Sequence, residues 1–495
     1  MINSSIKKPV IFGLILLICI VSAALFLIWS WKLYRVGFPL DDAWIHQTYA
    51  RNFGVSGQWV YFPGQPSAGS TSPLWTFVLA VGYLLRFNQF LWAIGVGLFI
   101  LAILAYIGYR YLLDYLKIPN SFAWLAAILL VFEYHLVWAA LSGMETLLFG
   151  LILTIILLEI SKENLNPLPM GLLIGICIWI RPDGLTLLGP ALLYLFISPV
   201  QHQRILQNLA VFAAGFLLLF IPYLVFNDQL AGSIWPSTFY AKQAEYAVLR
   251  QAPLVKRLIT EFSLPLIGAG ILLLPGFIYF IVYEMRGRKW CSLLGVIWWM
   301  GYIGLYALRL PVTYQHGRYI IPAMPLYFIW GIAGTALLVS QPSSRAIRII
   351  SRTWLVSIFV VLIGFWVLGG RAYAYDVAII ESEMVDTAYW ISEHTPTDSL
   401  IAAHDIGALG YFGERQIFDL AGLVSPQVIP VITNEGSLIQ MINDSGAAYL
   451  MTFPDWYERL ASCGEIVYDT NAPYSPGLGG ENMTVYLWKD NCTIH

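Results

Sequence analysis

Charge is what this sequence has least of: Asp, Glu, Lys and Arg make up 11% of its 495 residues, against roughly a quarter in soluble domains. Because 58% of the residues are hydrophobic, more apolar surface is present than a water-soluble core could hide, which excludes a soluble globular protein. The chain reads as an integral membrane protein. A net charge of -2 and the lack of any dense basic stripe exclude nucleic-acid binding. The glycine-rich phosphate loop of nucleotide-binding proteins is missing as well. Cysteine is scarce, at five residues. Cys19, Cys177 and Cys291 fall in apolar runs, whereas Cys463 and Cys492 lie in the more polar C-terminal part and can pair there if that part faces an oxidising compartment.

What is present is a series of apolar runs between Val10 and Gly369, of the length needed to cross roughly 30 Å of hydrocarbon as helices. Eleven spans are expected, near 10–32, 89–112, 121–142, 144–160, 169–181, 184–198, 205–227, 264–285, 290–309, 320–339 and 353–369. The run 73–87 is expected to lie in the interface, because counting it as a span would invert every loop after it. The first run follows Lys7 and Lys8 and continues to Trp31, too long for a cleaved signal peptide, so a retained signal anchor is expected. After residue 370 the composition changes to ordinary polar density with short β-rich runs such as "AAYLMTF" and "MTVYLW". The expected architecture is therefore a polytopic α-helical membrane domain over 1–370, with a long first outer loop at 33–88, and a soluble α/β domain over 371–495.

The short loops carrying Arg110, Lys117, Lys162, Arg204, "RGRK" at 286–289 and "RAIRIISR" at 345–352 fall on the same side as Lys7 and Lys8. This is the cytoplasmic bias of basic residues, and it puts the long loops and the C-terminal domain outside the plasma or inner membrane. Five polar clusters gather on that outer side. "LDDAWIHQTYARN" places Asp41 and Asp42 at the start of an expected amphipathic helix along the membrane. Helix capping explains one of these carboxylates and not two. A pair at a site entrance can divide labour, one deprotonating a hydroxyl and the other fixing the acceptor or holding a metal ion. In "GQPSAGSTSPLW" Ser70 or Ser72 either caps the next helix or contacts substrate. Glu145 in "SGMET" is either a solvated turn residue or faces a cavity, and Arg181 and Asp183 in "WIRPDGL" either pair locally or bind substrate. "STFYAKQ" and "YQHGRYIIP" bring Tyr240, Lys242, His316, Arg318 and Tyr319 to the height of an anionic lipid headgroup, where Arg suits bidentate phosphate contact and Lys242 could equally anchor a helix end. Trp44, Tyr49, Trp59, Tyr61, Trp75, Tyr240, Tyr314 and Tyr319 are interleaved with these charges, and such aromatics stack on sugar rings.

"DDAWIHQTYARN", "GQWVYFPGQPSAGSTSPLWT", "SGMET", "RPDG", "TFYAK", "HGRY" and "HDIGALGYFGERQIFDLAGLVSP" occur in this order over most of the chain. Together they resemble the family of the mycobacterial terminal β-(1→2)-arabinofuranosyltransferase, within the GT-C superfamily of polyprenyl-phosphate-sugar-dependent glycosyltransferases. The resemblance implies an outward-facing active site, a polyprenyl-phosphate sugar as donor, and an envelope glycan or lipid-linked acceptor. It places catalysis on Asp41 and Asp42, with Lys242, His316 and Arg318 near the donor phosphate. A divalent cation (Mg, Mn or Ca) held by Asp41 or Asp42 is a candidate cofactor. The chain departs from the family pattern at Trp44, His46, Gln47 and Ser237, positions expected to line the pocket and so to bear on whether the sugar is arabinofuranose.

The expected function is extracytoplasmic glycosyl transfer, with one Asp of the pair, Asp41 before Asp42, as general base. Glu145, Arg181, Asp183, Tyr240, Lys242, His316, Arg318 and Tyr319 make up the expected substrate-binding set. The alternatives are a lipid or glycan transporter and a non-catalytic envelope accessory protein. Asp405 and Asp419 carry no assigned chemistry, and Gly407, Gly410 and Gly413 are expected to free the backbone for a turn. The C-terminal domain is read as an acceptor-binding lobe, a lid or a structural part.

Overall fold

A computed structural model describes residues 8–340, 344–489 and 492. Its helices are α1 (Lys8–Leu33), α2 (Asp42–Ser56), α3 (Pro73–Leu84), α4 (Gln89–Arg110), α5 (Asn120–Phe132), α6 (Tyr134–Leu141), α7 (Thr146–Ser161), α8 (Pro167–Ile180), α9 (Leu188–Ile197), α10 (Ile205–Ala231), α11 (Ser237–Glu245), α12 (Leu254–Ser263), α13 (Gly270–Arg286), α14 (Trp290–Arg309), α15 (Met324–Val339), α16 (Arg345–His394), α17 (Gly407–Phe412) and α18 (Glu435–Ser445). Each of the eleven expected spans coincides with helix. Among the described residues six helices are long and apolar enough to cross a membrane, and α5 with α6, and Leu254–Leu266 with α13, pass together as bent pairs at 52° and 98°. The three remaining expected spans are the shorter apolar helices Thr146–Ser161, Pro167–Ile180 and Pro182–Ile197. At 12 residues, α3 reaches about 18 Å, short of the hydrocarbon thickness.

The breaks have local causes. Between α5 and α6, Glu133 is extended and its carboxylate accepts from Leu136 N–H, ending one helix and capping the next. Ahead of α13, Pro265 and Gly268, the latter at φ 70°, turn the chain. No Pro or Gly follows Gly370 in "RAYAYDVAIIESEMVDTAYWISEH", so α16 runs through the residue-370 boundary to His394 with only a π-helical segment at Ile380–Val385. The C-terminal lobe thus grows directly from the last helix that is long and apolar enough to cross a membrane.

The lobe contains β3 (Leu400–Ala403), β4 (Gln416–Asp419), β5 (Tyr449–Thr452), β6 (Gly464–Asp469) and β7 (Thr484–Trp488), after a small hairpin of β1 (Val60–Phe62) and β2 (Gln65–Pro66) in the first outer loop. The sheet order is β4-β3-β5-β7-β6, with β3 parallel to β4 and β5, and β7 antiparallel to β5 and β6. Leu438, Ile439 and Ile442 of α18 pack on the sheet in a small core of its own, and Cys463 and Cys492 form a disulfide beside it.

The amphipathic helix expected along the membrane is instead an internal one. Ala43 to Ala50 of α2 are all buried, because α3 packs on one side and α17 of the lobe on another. Some of its polar atoms are matched inside: His46 Nδ1 lies 3.1 Å from Thr76 Oγ1, and Gln47 Oε1 accepts from Tyr83 Oη at 2.8 Å, while Gln47 Nε2 has no partner among the described residues. Arg51 donates to the Tyr411 carbonyl at 2.8 Å, and Tyr61 Oη donates to the Ile406 carbonyl at 2.5 Å, so the segment 33–88 and the lobe are one packed unit.

Candidate active site

Asp41 stands just before α2 but does not cap it. Its carboxylate crosses to the lobe, where Oδ2 accepts from Gly407 N–H at 2.6 Å and Oδ1 from Ala408 N–H at 2.7 Å. The backbones approach so closely that a Cβ on Gly407 would stand 2.0 Å from the Asp41 carbonyl oxygen, and one on Gly410 would stand 1.9 Å from Tyr61 Oη. None of Gly407, Gly410 and Gly413 has positive φ. The first two serve close approach and not the turn expected of them. Burial, then the neighbouring Asp405, pushes the Asp41 carboxyl up to about 8 against the two N–H donors.

Asp42 faces the other way. Its Oδ2 lies 3.0 Å from Lys242 Nζ and 2.8 Å from the Arg318 guanidinium. Burial raises its carboxyl, but the two cations outweigh burial and hold it below the ordinary carboxylate range. Arg318 is 5% exposed, and its Nε has no hydrogen-bond partner among the described residues. The Tyr319 ring is flanked by two guanidiniums, 5.0 Å from Arg318 and 5.1 Å from Arg181. Behind it Arg181 donates to Asp183 Oδ2 at 2.9 Å and to Glu145 Oε1 at 3.1 Å, and Tyr306 Oη donates to Asp183 at 2.6 Å. The local Arg181–Asp183 pair and the cavity-facing Glu145 are thus both present. The loop serines cap nothing: Ser72 Oγ donates to the Ile180 carbonyl at 2.5 Å, and Ser70 Oγ lies 2.9 Å from Thr76 Oγ1.

Two cavities meet at Asp42, Lys242 and Arg318. The inner one, ≈ 350 Å³, is also lined by Glu145, Arg181, Asp183 and Tyr319, with Trp235, Phe239, Leu305 and Leu310 forming an apolar side. The outer one, ≈ 910 Å³, lies between the helices and the lobe and is lined by Asp41, Glu245, His404 and Asp405 together with Phe453, Trp456 and Tyr457. These lobe residues follow the carboxyl ends of β3 and β5, the usual place for ligand contacts in α/β sheets.

A divalent cation does not fit the Asp pair as it stands. Both Asp41 oxygens accept N–H groups, the engaged Asp42 oxygen faces two cations, and no three His, Cys, Asp or Glu side chains converge as ligands among the described residues.

ArnT from Cupriavidus metallidurans bound to undecaprenyl phosphate superposes over 96% of this chain and 98% of its own, at TM-score 0.60 and 15% identity. The Archaeoglobus fulgidus oligosaccharyltransferase in the apo form superposes over 89% and 70%, at TM-score 0.58 and 10% identity. The chain has the GT-C fold. It is a multi-pass membrane protein. Arabinofuranosyltransferase AftD from mycobacteria overlaps at TM-score 0.48, over 96% of this chain and 40% of its own at 15% identity, too loosely to bear on the sugar. A domain of unknown function, DUF8728, matches residues 375–486, the end of α16 and the lobe. No curated protein sequence matches.

On this GT-C scaffold, Asp42, Glu145, Arg181, Asp183, Lys242, Arg318 and Tyr319 come together around the inner cavity, while Asp41 borders the outer one. Two expected residues stay apart. Tyr240 is 39% exposed and borders neither cavity. His316 lies 2.8 Å from Asp376, which also accepts from Trp138 Nε1. Of the aromatics expected to stack on sugars, Trp44, Tyr49, Tyr61 and Trp75 are buried in the packing of α2, whereas Tyr314 and Tyr319 line cavities. His404, Asp405, Glu245 and Trp456 are the additions. "HD" at the head of the lobe motif was the one signal for the first two.

His404 Nε2 lies 3.7 Å from Glu245 Oε1 of α11, and its Nδ1 is 2.8 Å from Tyr457 Oη. Burial lowers its pKa, but the Glu245 contact prevails and raises it to about 9, above the unfolded value of 6.5. The stabilisation it supplies is therefore complete below about pH 6.5 and is lost as pH rises through about 9. Thermal stability of the wild type is expected to fall across that window, and Glu245→Gln to remove that part of the slope. An unchanged slope in the variant would show that this contact does not contribute.

Proposed function

We propose that this chain is a membrane glycosyltransferase that moves a sugar from a polyprenyl-phosphate donor to an envelope glycan or lipid-linked acceptor on the extracytoplasmic face. The observation that carries this reading is the Asp42–Lys242–Arg318 cluster at the partition between two cavities, one apolar-sided and one open to the lobe. ArnT, of the same fold, binds undecaprenyl phosphate, which supports a lipid phosphate in the inner cavity. The Cys463–Cys492 disulfide and the basic loops on the opposite side support the outward orientation.

In this reading the donor phosphate lies against Arg318 and Lys242, with Asp42 holding the two cations in place. The acceptor hydroxyl enters from the outer cavity and attacks the anomeric carbon, and the bond from that carbon to the phosphate oxygen breaks. The cations neutralise the leaving phosphate, and an aspartate at the junction takes the hydroxyl proton, a contribution of roughly 10²- to 10⁴-fold.

The test is transfer by the purified protein in liposomes from a panel of labelled polyprenyl-phosphate sugars, headed by arabinofuranose and including mannose and glucose, to crude envelope glycan. Label is expected to move from one donor and to stay put in the Asp41→Asn, Asp42→Asn double variant. If the wild type binds a donor and consumes none, the cavities belong to a transporter or an accessory protein.

A further inference from the structure

We propose that Asp405, carried by the soluble lobe, is the catalytic base that removes the proton from the acceptor hydroxyl. The inference rests on the transferase reading. Four carboxylates, Asp41, Asp42, Glu245 and Asp405, adjoin the partition from the outer cavity, and their surroundings separate them; Glu245 faces His404 at 3.7 Å. Asp41 has both oxygens engaged by backbone N–H groups, which fastens the lobe to the first outer loop. Asp42 shares one oxygen between Lys242 and Arg318, which makes it a weak proton acceptor and suits it to positioning those cations. Asp405 makes no ion pair, and its buried oxygen Oδ2 has no hydrogen-bond partner among the described residues.

Its place in the fold agrees. Asp405 lies two residues beyond the carboxyl end of β3, at the edge where β3, β4 and β5 run parallel and where Leu423, Phe453 and Trp456 also border the outer cavity. The charged groups facing it are His404 from the lobe, Asp41 and Asp42 from the first outer loop and Glu245 from α11, with Lys242, Arg318, Glu435 and Asp455 on the same cavity wall. Burial, opposed by His404 and reinforced by Asp42 and Glu245, raises its carboxyl to about 6, near the value at which a base is both available at neutral pH and strong enough to act. In the step, the hydroxyl proton passes to the Asp405 carboxylate as the acceptor oxygen bonds to the anomeric carbon. The electron pair of the breaking bond leaves with the polyprenyl phosphate, and Asp405 then returns the proton to water in the outer cavity.

The experiment compares wild type, Asp405→Asn and Asp405→Ala in the liposome transfer assay, with undecaprenyl phosphate binding measured on each. Asp405→Asn is expected to lose about 10²- to 10⁴-fold in transfer with binding undiminished. Formate, filling the space left in Asp405→Ala, is expected to restore part of the rate. The wild-type rate should rise with pH through about 6, and this limb should be absent from the residual activity of Asp405→Asn. Transfer by Asp405→Asn at the wild-type rate overturns the assignment and leaves the transferase reading standing. Loss of undecaprenyl phosphate binding, or failure of formate to rescue, makes Asp405 structural and overturns it too. A wild type that moves no sugar from any donor overturns the transferase reading itself, and Asp405 with it.

Discussion

Arg318→Gln is expected to lower sugar transfer by about 10²- to 10³-fold, the loss typical of removing one preorganised charge donor from a developing anion. Arg318 is the better placed of the two cations. It is 5% exposed, its Nε has no hydrogen-bond partner among the described residues, and its guanidinium is oriented by Asp42 at 2.8 Å and by Tyr319 Oη at 3.1 Å. Gln keeps some polarity and removes the charge, so the leaving phosphate is left with Lys242 alone. Arg318→Lys is expected to recover part of the rate, because a point charge replaces the fork that matches phosphate geometry. The measurement is the transfer rate beside undecaprenyl phosphate affinity, with size-exclusion in detergent as the control for folding. Full activity in Arg318→Gln would remove the cation from the reaction.

Gly407→Ala is expected to abolish transfer by separating the lobe from the membrane domain. The added methyl would stand 2.0 Å from the Asp41 carbonyl oxygen and 2.7 Å from its Oδ2, and the first of these is backbone, which no rotamer change relieves. Overpacking of this kind costs about 1–3 kcal/mol when the surroundings can yield. Here yielding means breaking the two N–H contacts to Asp41, and with them the partition between the cavities. The lobe keeps its own core and disulfide, so it should stay folded while its docking fails. Limited proteolysis between His394 and Leu400 is expected to accelerate in Gly407→Ala, with transfer lost in parallel. Wild-type cleavage and activity would show that the junction tolerates the methyl.

Much of the site was legible as motifs, and the misses follow from helix phase. Tyr240 and Lys242 are two residues apart on α11, about 200° around the helix, so one side chain enters the site and the other leaves it. His316 and Arg318 are also two apart, and positive φ at Gln315, His316 and Gly317 turns His316 toward Asp376 while Arg318 points inward. Trp44 and Tyr49 of α2 are buried and do not face a cavity. Their burial depends on the lobe's α17 covering them, a partner more than 350 residues away in sequence.

By itself the sequence determined the membrane class, because so few charges cannot solvate so much apolar surface, and it marked the polar motifs whose residues line the two cavities. It also marked Cys463 and Cys492 as the pair outside the spans. Only the tertiary structure decided what each carboxylate touches. Asp41 and Asp42 are adjacent in the chain, yet one meets the lobe's N–H groups across 366 residues and the other meets Lys242 of α11 and Arg318 of the turn before α15. Such contacts join segments with no local pattern in common, and a carboxylate's basicity is set by the charges and donors that folding brings within a few ångströms of it.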